Sequence, residues 1–263
     1  MVGGCGAICQ AVGVNRIVSI VTPLLNPRPE QLAQSYASLA AQELADGWEW
    51  EWVVQEDGRT GEVARLLPAD ERVRVATGRP GGGVGQTRNL ALARSRGELV
   101  KAFDGDDVMA PGTLARDISV LERHAEVQWT TSRALDLLPD GTTKPSEHDP
   151  EPGRLAPGSV AAYWRAHGYR LPVHGVTLCM RRPLLVALGG WMGVPGSDDT
   201  GLLIAASTVA AGFFHGEVGL YYRKWPGQVT AQPEHTAQDE WNARMRLIDE
   251  RAAALADLAW CIE

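Results

Sequence analysis

Apolar and polar positions along this 263-residue chain follow two alternating periods. Residues 16–22 (RIVSIVT) are a β-branched run closed by Pro23, the pattern of a buried strand. In 29–44, Leu32, Tyr36, Leu39 and Ala40 recur at three- and four-residue steps behind Pro29, which suits a helix start. Strands are expected again at 50–55, 72–76 and 99–103, with a helix at 86–96 that Gly97 would cap. A helix at 112–124 follows, then strand-like stretches within 127–138 and 176–180. Segment 139–158 is rich in proline, glycine and charge and reads as a long mobile loop. Helices at 183–188 and 200–211 and a strand at 217–223 precede a long helix at 238–260. Trp241, Met245, Ile248, Leu255 and Leu258 form its apolar stripe, a candidate surface for pairing with a second copy.

Strands and helices that alternate at this spacing predict an α/β fold: a mostly parallel central sheet, helices on both faces and a C-terminal helix. Ligands of such sheets sit at the C-terminal strand edges, near the point where strand order reverses. Pro23, Glu56-Asp57 and Asp104-Gly105-Asp106-Asp107 all fall at such edges. The pattern divides the chain into an N-terminal segment 1–15, halves at 16–108 and 109–236, and the helix of 237–263.

Composition narrows the partners. A net charge of −7 argues against nucleic acid, and no run approaches the length of a membrane span. No basic residue precedes the small apolar start, so no secretory signal is expected and the cytoplasm is the expected compartment. Cys5, Cys9, Cys179 and Cys261 fit neither a zinc ribbon nor a redox pair and read as free thiols.

The carboxylates of 104–107 follow directly on an apolar strand. Buried carboxylates need a partner, and this cluster suggests a divalent cation serving a phosphate. It is no calcium loop, because the required glycine and glutamate positions hold Met109 and Ala115. The glycine-rich segment 79–85 is neither a P-loop nor a dinucleotide fingerprint, but the helix after it carries Arg88, suited to a base or a phosphate. Asp198 and Asp199 open another helix. One can cap it, which leaves the other for chemistry. Trp191, behind two glycines, is a candidate to stack on a sugar ring, and His174 is a weaker candidate for the same region.

In order along residues 16–230, these motifs resemble the family 2 glycosyltransferases of the GT-A fold. Their first strand ends in Thr-Pro with a nearby asparagine, here Thr22, Pro23 and Asn26. Their second ends in two acids and a glycine, here Glu56-Asp57-Gly58. Gly85-Gln86-Thr87-Arg88-Asn89 stands for their glycine followed by Ala-Arg-Asn, and Asp104-Gly105-Asp106 for their DxD motif. Gly190-Trp191 with Asp198-Asp199 stands for Gly-Gly-Phe and Glu-Asp, and Tyr222-Arg223 for a late Tyr-Arg strand. Thr87, Trp191 and Asp198 depart from the pattern, and Trp225 stands where many members place histidine.

The resemblance implies an inverting, metal-dependent transfer of a hexose-type sugar from a nucleotide-diphosphate sugar. Thr22, Pro23, Asn26, Glu56, Asp57 and Arg88 would bind the nucleotide, with Asp104 on the ribose beside Gly105. Asp106, with Asp104 near it and Asp107 in support, would hold Mn2+ or Mg2+. Asp199 would be the general base, and Asp198, His174 and Trp191 would shape the acceptor side. Residues 16–108 become the donor half and 109–236 the acceptor half. Asp57 and Arg88 favour uridine as the base, and the lack of a membrane segment favours a soluble acceptor. Two rival readings fit the motifs less well. A sugar-nucleotide nucleotidyltransferase needs a basic glycine-rich loop after its first strand, where this chain has Pro23-Leu24-Leu25-Asn26-Pro27. A catalytically inactive carbohydrate-binding relative would be expected to lack Asp106 or Asp199.

Overall fold

The structure, a computed structural model, describes residues 15–228 and 237–258. Apart from Asn15, the N-terminal segment lies outside these residues, as do Cys5, Cys9 and Cys261. The chain runs β1 (Arg16–Leu24), α1 (Pro29–Ala40), β2 (Trp48–Glu56), α2 (Glu62–Leu66), β3 (Val73–Thr77), α3 (Val84–Arg94) and β4 (Leu99–Ala102). It continues through β5 (Val108–Met109), α4 (Thr113–Arg123), β6 (Val127–Leu137), β7 (Thr143–Pro145), β8 (Gly153–Leu155) and α5 (Ser159–Ala166). Last come β9 (Cys179–Arg181), α6 (Arg182–Ala187), α7 (Asp198–Val209), β10 (Ala211–Arg223) and α8 (Gln238–Asp257).

Ten strands form one sheet in the order β3-β2-β1-β4-β9-β6-β10-β5, with β7 beside β6 and β8 beside β10. The first four are parallel, as expected. Beyond β4 the sheet is mixed: β9 runs antiparallel to both neighbours, while β6 and β10 are parallel to each other. Strand order reverses between β1 and β4, so the crevice at their C-terminal ends is the topological switch point.

Alternation along the strands sorts side chains into two cores. Val18, Ile20, Trp48, Trp50, Trp52, Leu99 and Phe103 face α1, α2 and α4. Val21, Val53, Val100 and Ala102 face the other way, with α3, α5, α6, α7 and α8. The apolar stripe of α8 belongs to this second core: Met245, Ile248 and Ala252 are buried and Trp241 and Leu255 pack against them. The face proposed for pairing with a second copy is thus covered by the chain itself. Leu258, counted on that stripe, is 76% exposed.

Gly97 does not cap α3, which ends at Arg94. Its role is close approach: a Cβ there would lie 2.6 Å from the Ser19 nitrogen on β1. Segment 139–158 is also not a featureless loop. β7 pairs with β6 and β8 with β10, and Arg133 binds Asp149 at 2.7 Å between them. The strand expected at 176–180 begins instead with a 3-10 turn, Gly175–Thr177, and only then enters β9.

One buried ion pair anchors that turn. Lys101 on β4 donates to Asp117 on α4 at 2.8 Å and to the Thr177 carbonyl at 2.6 Å. Burial opposes the charge on Asp117, but Lys101 and His215 hold its pKa down at about 2.

Candidate functional site

A cavity of about 960 Å³ opens over the switch point and extends toward α7 and β10. β1 delivers Pro23 to its wall, and Asn26 follows in a left-handed turn at φ 47°. Thr22 does not reach it. It shares strand parity with Val18 and Ile20 and is fully buried, donating to the Phe103 carbonyl at 2.6 Å and accepting from the Trp52 indole at 2.7 Å.

The acids after β2 separate. Glu56 folds into the next turn, accepting from the Thr60 hydroxyl at 2.6 Å and the Thr60 and Gly61 nitrogens at 2.8 and 3.1 Å. It is absent from the cavity wall. Asp57 lines the cavity and accepts from the Gly82 and Gly83 nitrogens, both at 3.1 Å. The glycine-rich segment thus wraps a carboxylate of its own chain, which fixes the start of α3.

Arg88, on the first turns of α3, is buried rather than free to meet a base. One terminal nitrogen donates to Asp198 Oδ2 at 2.6 Å and the other to Asp104 Oδ1 at 2.5 Å. Burial disfavours its charge, yet the fields of Asp104, Asp198 and Asp199 outweigh that and raise its pKa further. Its planar fork therefore bridges the turn after β4 and the start of α7.

Asp104 is a quarter exposed and faces the cavity. Gly105 is required by contact, since a Cβ would lie 2.3 Å from Leu24 Cδ2. Asp106 lines the cavity, and its Oδ2 accepts from the Trp225 indole nitrogen at 2.9 Å. Burial, and then Asp104, push its pKa up. Asp107 is fully buried, and its Oδ1 accepts from the Arg223 backbone nitrogen at 2.8 Å. Burial and its two acidic neighbours push it up as well. Arg223 also donates to the Asp106 carbonyl at 2.6 Å, so the end of β10 is fastened to this turn twice.

On the far wall, Asp198 and Asp199 open α7 after Ser197, itself left-handed at φ 62°. Asp198 is buried against Arg88. Burial outweighs the arginine and pushes its pKa up to about 6. Asp199 lines the cavity, its Oδ1 accepting from the Thr200 nitrogen at 2.7 Å. Its other oxygen rests on Gly175, where a Cβ would lie 2.6 Å away. His174 lines the same wall, 4.5 Å from the Tyr222 ring, and burial lowers its pKa to about 4, leaving it neutral near pH 7.

Trp191 is not an exposed stacking platform. It is 3% exposed within the second core, and Asn89 clamps its backbone through two 2.9 Å hydrogen bonds. Sequence reasoning missed Arg28, whose guanidinium lies 4.2 Å over the Trp225 ring, and Lys224, both on the cavity wall. Tyr222-Arg223-Lys224-Trp225, a basic-aromatic run at the end of an expected strand, was the available signal.

A parallel sheet with acids gathered at its switch point, continued by a mixed sheet, defines an α/β architecture with a ligand-sized cavity at the strand ends. Residues 19–171 match the family model Glycosyl transferase family 2, more than half of the chain, and the chain belongs to that family. It is 31% identical over 139 residues to the uncharacterized protein y4gI of Sinorhizobium fredii (strain NBRC 101917 / NGR234), covering 50% of this chain and 15% of that protein. It is 23% identical over 251 residues to the O-antigen biosynthesis protein RfbC of Myxococcus xanthus, covering 92% of this chain and 18% of that protein. This chain thus spans less than a fifth of either relative. S. aureus TarS 1-349, solved in complex with UDP-GlcNAc, shares the GT-A fold at a TM-score of 0.69 and 19% identity, over 90% of this chain and 66% of that one. No helix among the described residues is long and apolar enough to cross a membrane.

Proposed function

We propose that this chain is an inverting glycosyltransferase that moves a hexose-type sugar from a nucleotide-diphosphate sugar, UDP favoured, to a hydroxyl or amine of a soluble small molecule. One observation carries the reading: a single cavity is lined by Asp104 and Asp106 on one side and by Asp199 on the other. Family membership and the UDP-GlcNAc bound by the TarS structure support it.

Of the two acids on α7, Asp198 is committed to Arg88, which leaves Asp199 for proton transfer. In the proposed step an acceptor oxygen or nitrogen forms a bond to the anomeric carbon while Asp199 takes its proton. The bond from that carbon to the diphosphate oxygen breaks on the opposite face, and the electron pair leaves with the diphosphate. General-base help of this kind contributes about 10²–10⁴ in rate.

The donor set fits a cation held openly. Asp104 is close enough for its charge to raise the pKa of Asp106; Arg88 pairs with Asp104, and Arg223 offsets the shift of Asp106 only in part. Among the described residues no three acids, histidines or cysteines close a full shell, and Trp225 offers an N–H rather than a lone pair. That suits Mg2+ or Mn2+, which take one or two carboxylates and complete their shell with water and substrate phosphate. Bound by Asp106 and Asp104, the ion would supply charge neutralisation for the departing diphosphate.

The test pairs two variants with a screen of nucleotide sugars by thermal shift and product assay. Asp199→Asn should lose transfer while donor binding persists, and Asp106→Ala should lose metal-dependent donor binding. Full transfer by Asp199→Asn would remove Asp199 as the base.

A further inference from the structure

The mechanism does not use Trp225, yet the fold holds its ring from three sides. Its indole nitrogen donates to Asp106 Oδ2 at 2.9 Å. The Arg28 guanidinium covers one face at 4.2 Å. Gly227 lies so close that a Cβ there would approach Trp225 Cζ3 to 1.9 Å. The turn carrying it is closed by the Gln228 nitrogen donating to the Trp225 carbonyl at 3.2 Å. It is also fastened to the acidic turn through Arg223, as described above. Trp225, Gly227, Arg28 and Asp106 line the same cavity.

We infer that Trp225 is a positioning residue for Asp106: its indole N–H occupies Oδ2 and leaves Oδ1 as the one oxygen that carboxylate offers a divalent cation. The inference rests on the reading of Asp106 as a cation ligand. Among the described residues no other side chain donates a hydrogen bond to this carboxylate, and its remaining donor is the Asp106 backbone itself, so the indole is the side chain that fixes its rotation. An N–H on Oδ2 takes up one of that oxygen's two lone pairs and so favours attachment of a cation through Oδ1. One-oxygen attachment suits Mg2+ and Mn2+, whose small shells are shared with phosphate and water. It disfavours Ca2+, which readily takes both oxygens of one carboxylate in a larger shell. Trp225 would therefore set both the strength and the selectivity of cation binding without touching the ion.

The test is calorimetric binding of UDP to the full chain in EDTA, MgCl2, MnCl2 and CaCl2. Trp225→Phe keeps a smaller aromatic ring between Arg28 and Gly227 and removes the N–H. The expected result is a loss of about 10–100-fold in the Mn2+-dependent gain in UDP affinity, the usual scale for an outer-shell partner. Affinity in EDTA should stay within about twofold of the parent, and the preference for Mg2+ over Ca2+ should narrow. Gly227→Ala, which pushes the ring away without altering its chemistry, should give the same pattern and serves if Trp225→Phe does not fold. In an Asp106→Asn background Trp225→Phe should add nothing. An unchanged Mn2+ gain in both variants overturns the inference. Equal losses in EDTA and Mn2+ also overturn it, because they reveal a general loosening of the wall. If the parent chain binds UDP with no response to any cation, the donor-site reading stands and this inference falls. If the parent binds no UDP at all, the donor-site reading itself fails.

Discussion

Replacing Arg88 by methionine removes one guanidinium and leaves two carboxylates without their counter-ion. The side chains of Arg88 and Asp198 are 3% and 4% exposed, so that half of the bridge is a buried pair at 2.6 Å. Removing one partner of such a pair costs about 3–5 kcal/mol, because the remaining charge stays desolvated. Asp104 is a quarter exposed and can be rehydrated, so its 2.5 Å contact adds little to that figure. For a chain of this size about 2–4 °C of melting temperature is lost per kcal/mol, which predicts a drop of about 6–20 °C. The pH dependence has a definite sign. Burial already pushes Asp198 up to about 6, and loss of Arg88 raises it further. A carboxyl whose folded pKa lies above its unfolded value favours the fold while protonated, and that contribution is lost as pH rises through the window between the two. Arg88→Met should therefore be closer to the parent at pH 5 than at pH 8. Thermal unfolding followed by circular dichroism at both pH values reads this directly. A variant within about 2 °C of the parent at pH 8, or a deficit that shrinks as pH rises, would refute the buried-bridge argument.

Two other perturbations address the cavity wall formed by Gly175, Asp199 and His174. Gly175→Ala would drive a methyl group into Asp199 Oδ2, 2.6 Å from the position of its Cβ, and so displace the proposed base without touching Asp104 or Asp106. Turnover should fall by about 10² while UDP affinity holds; a comparable loss of UDP affinity would show that Gly175 supports the whole wall. Burial lowers His174 to about 4 against an unfolded value of 6.5, so the unfolded chain binds more protons between those pH values and stability falls on acidification through that window. His174→Gln should flatten this acid limb in urea titrations, and identical slopes in parent and variant would count against a buried neutral imidazole.

The parallel half of the fold is legible because its strands are β-branched or aromatic runs, continuous in β1 and alternating with charge in β2 and β3, each with a turn signal after it. The mixed half is not. β9 has only 3 residues and is set by pairing with β4 and β6 rather than by its own pattern. Within the site, the acids of 104–107 stand out as a cluster after an apolar strand, whereas Asp199 is distinguished from Asp198 only by the family resemblance; the structure places Asp104, Asp106 and Asp199 on one cavity. Thr22 was assigned to the nucleotide on its motif alone, although its parity with Val18 and Ile20 already placed it in the core. Trp191 was read as exposed from the two glycines before it. Those glycines instead let the chain turn back: Gly190, at φ 72°, would place a Cβ 2.1 Å from Asn89 Oδ1, and Asn89 holds Trp191 inward. No local signal could have supplied the contact of Arg88 with Asp198 or of Trp225 with Asp106, since 110 and 119 residues separate those partners.

The acids of this site come in adjacent pairs, and the pairs have one physical logic. Neighbouring residues point to opposite sides of a strand end and about 100° apart on a helix, so two consecutive acids meet different partners even where both border the cavity, as Asp198 and Asp199 do. One member of each pair is turned inward and given donors: Glu56 by Thr60 and Gly61, Asp107 by the Arg223 nitrogen, Asp198 by Arg88. The other member, Asp57, Asp106 or Asp199, lines the cavity. The inward acids fasten three separate segments whose backbones must be held still for the outward ones to act: the turn after β2, the end of β10 and the first turn of α7. That makes the two members chemically unequal despite their identical or near-identical side chains. Amide replacement of an inward acid should appear first in unfolding, and amide replacement of an outward one should appear first in binding or turnover.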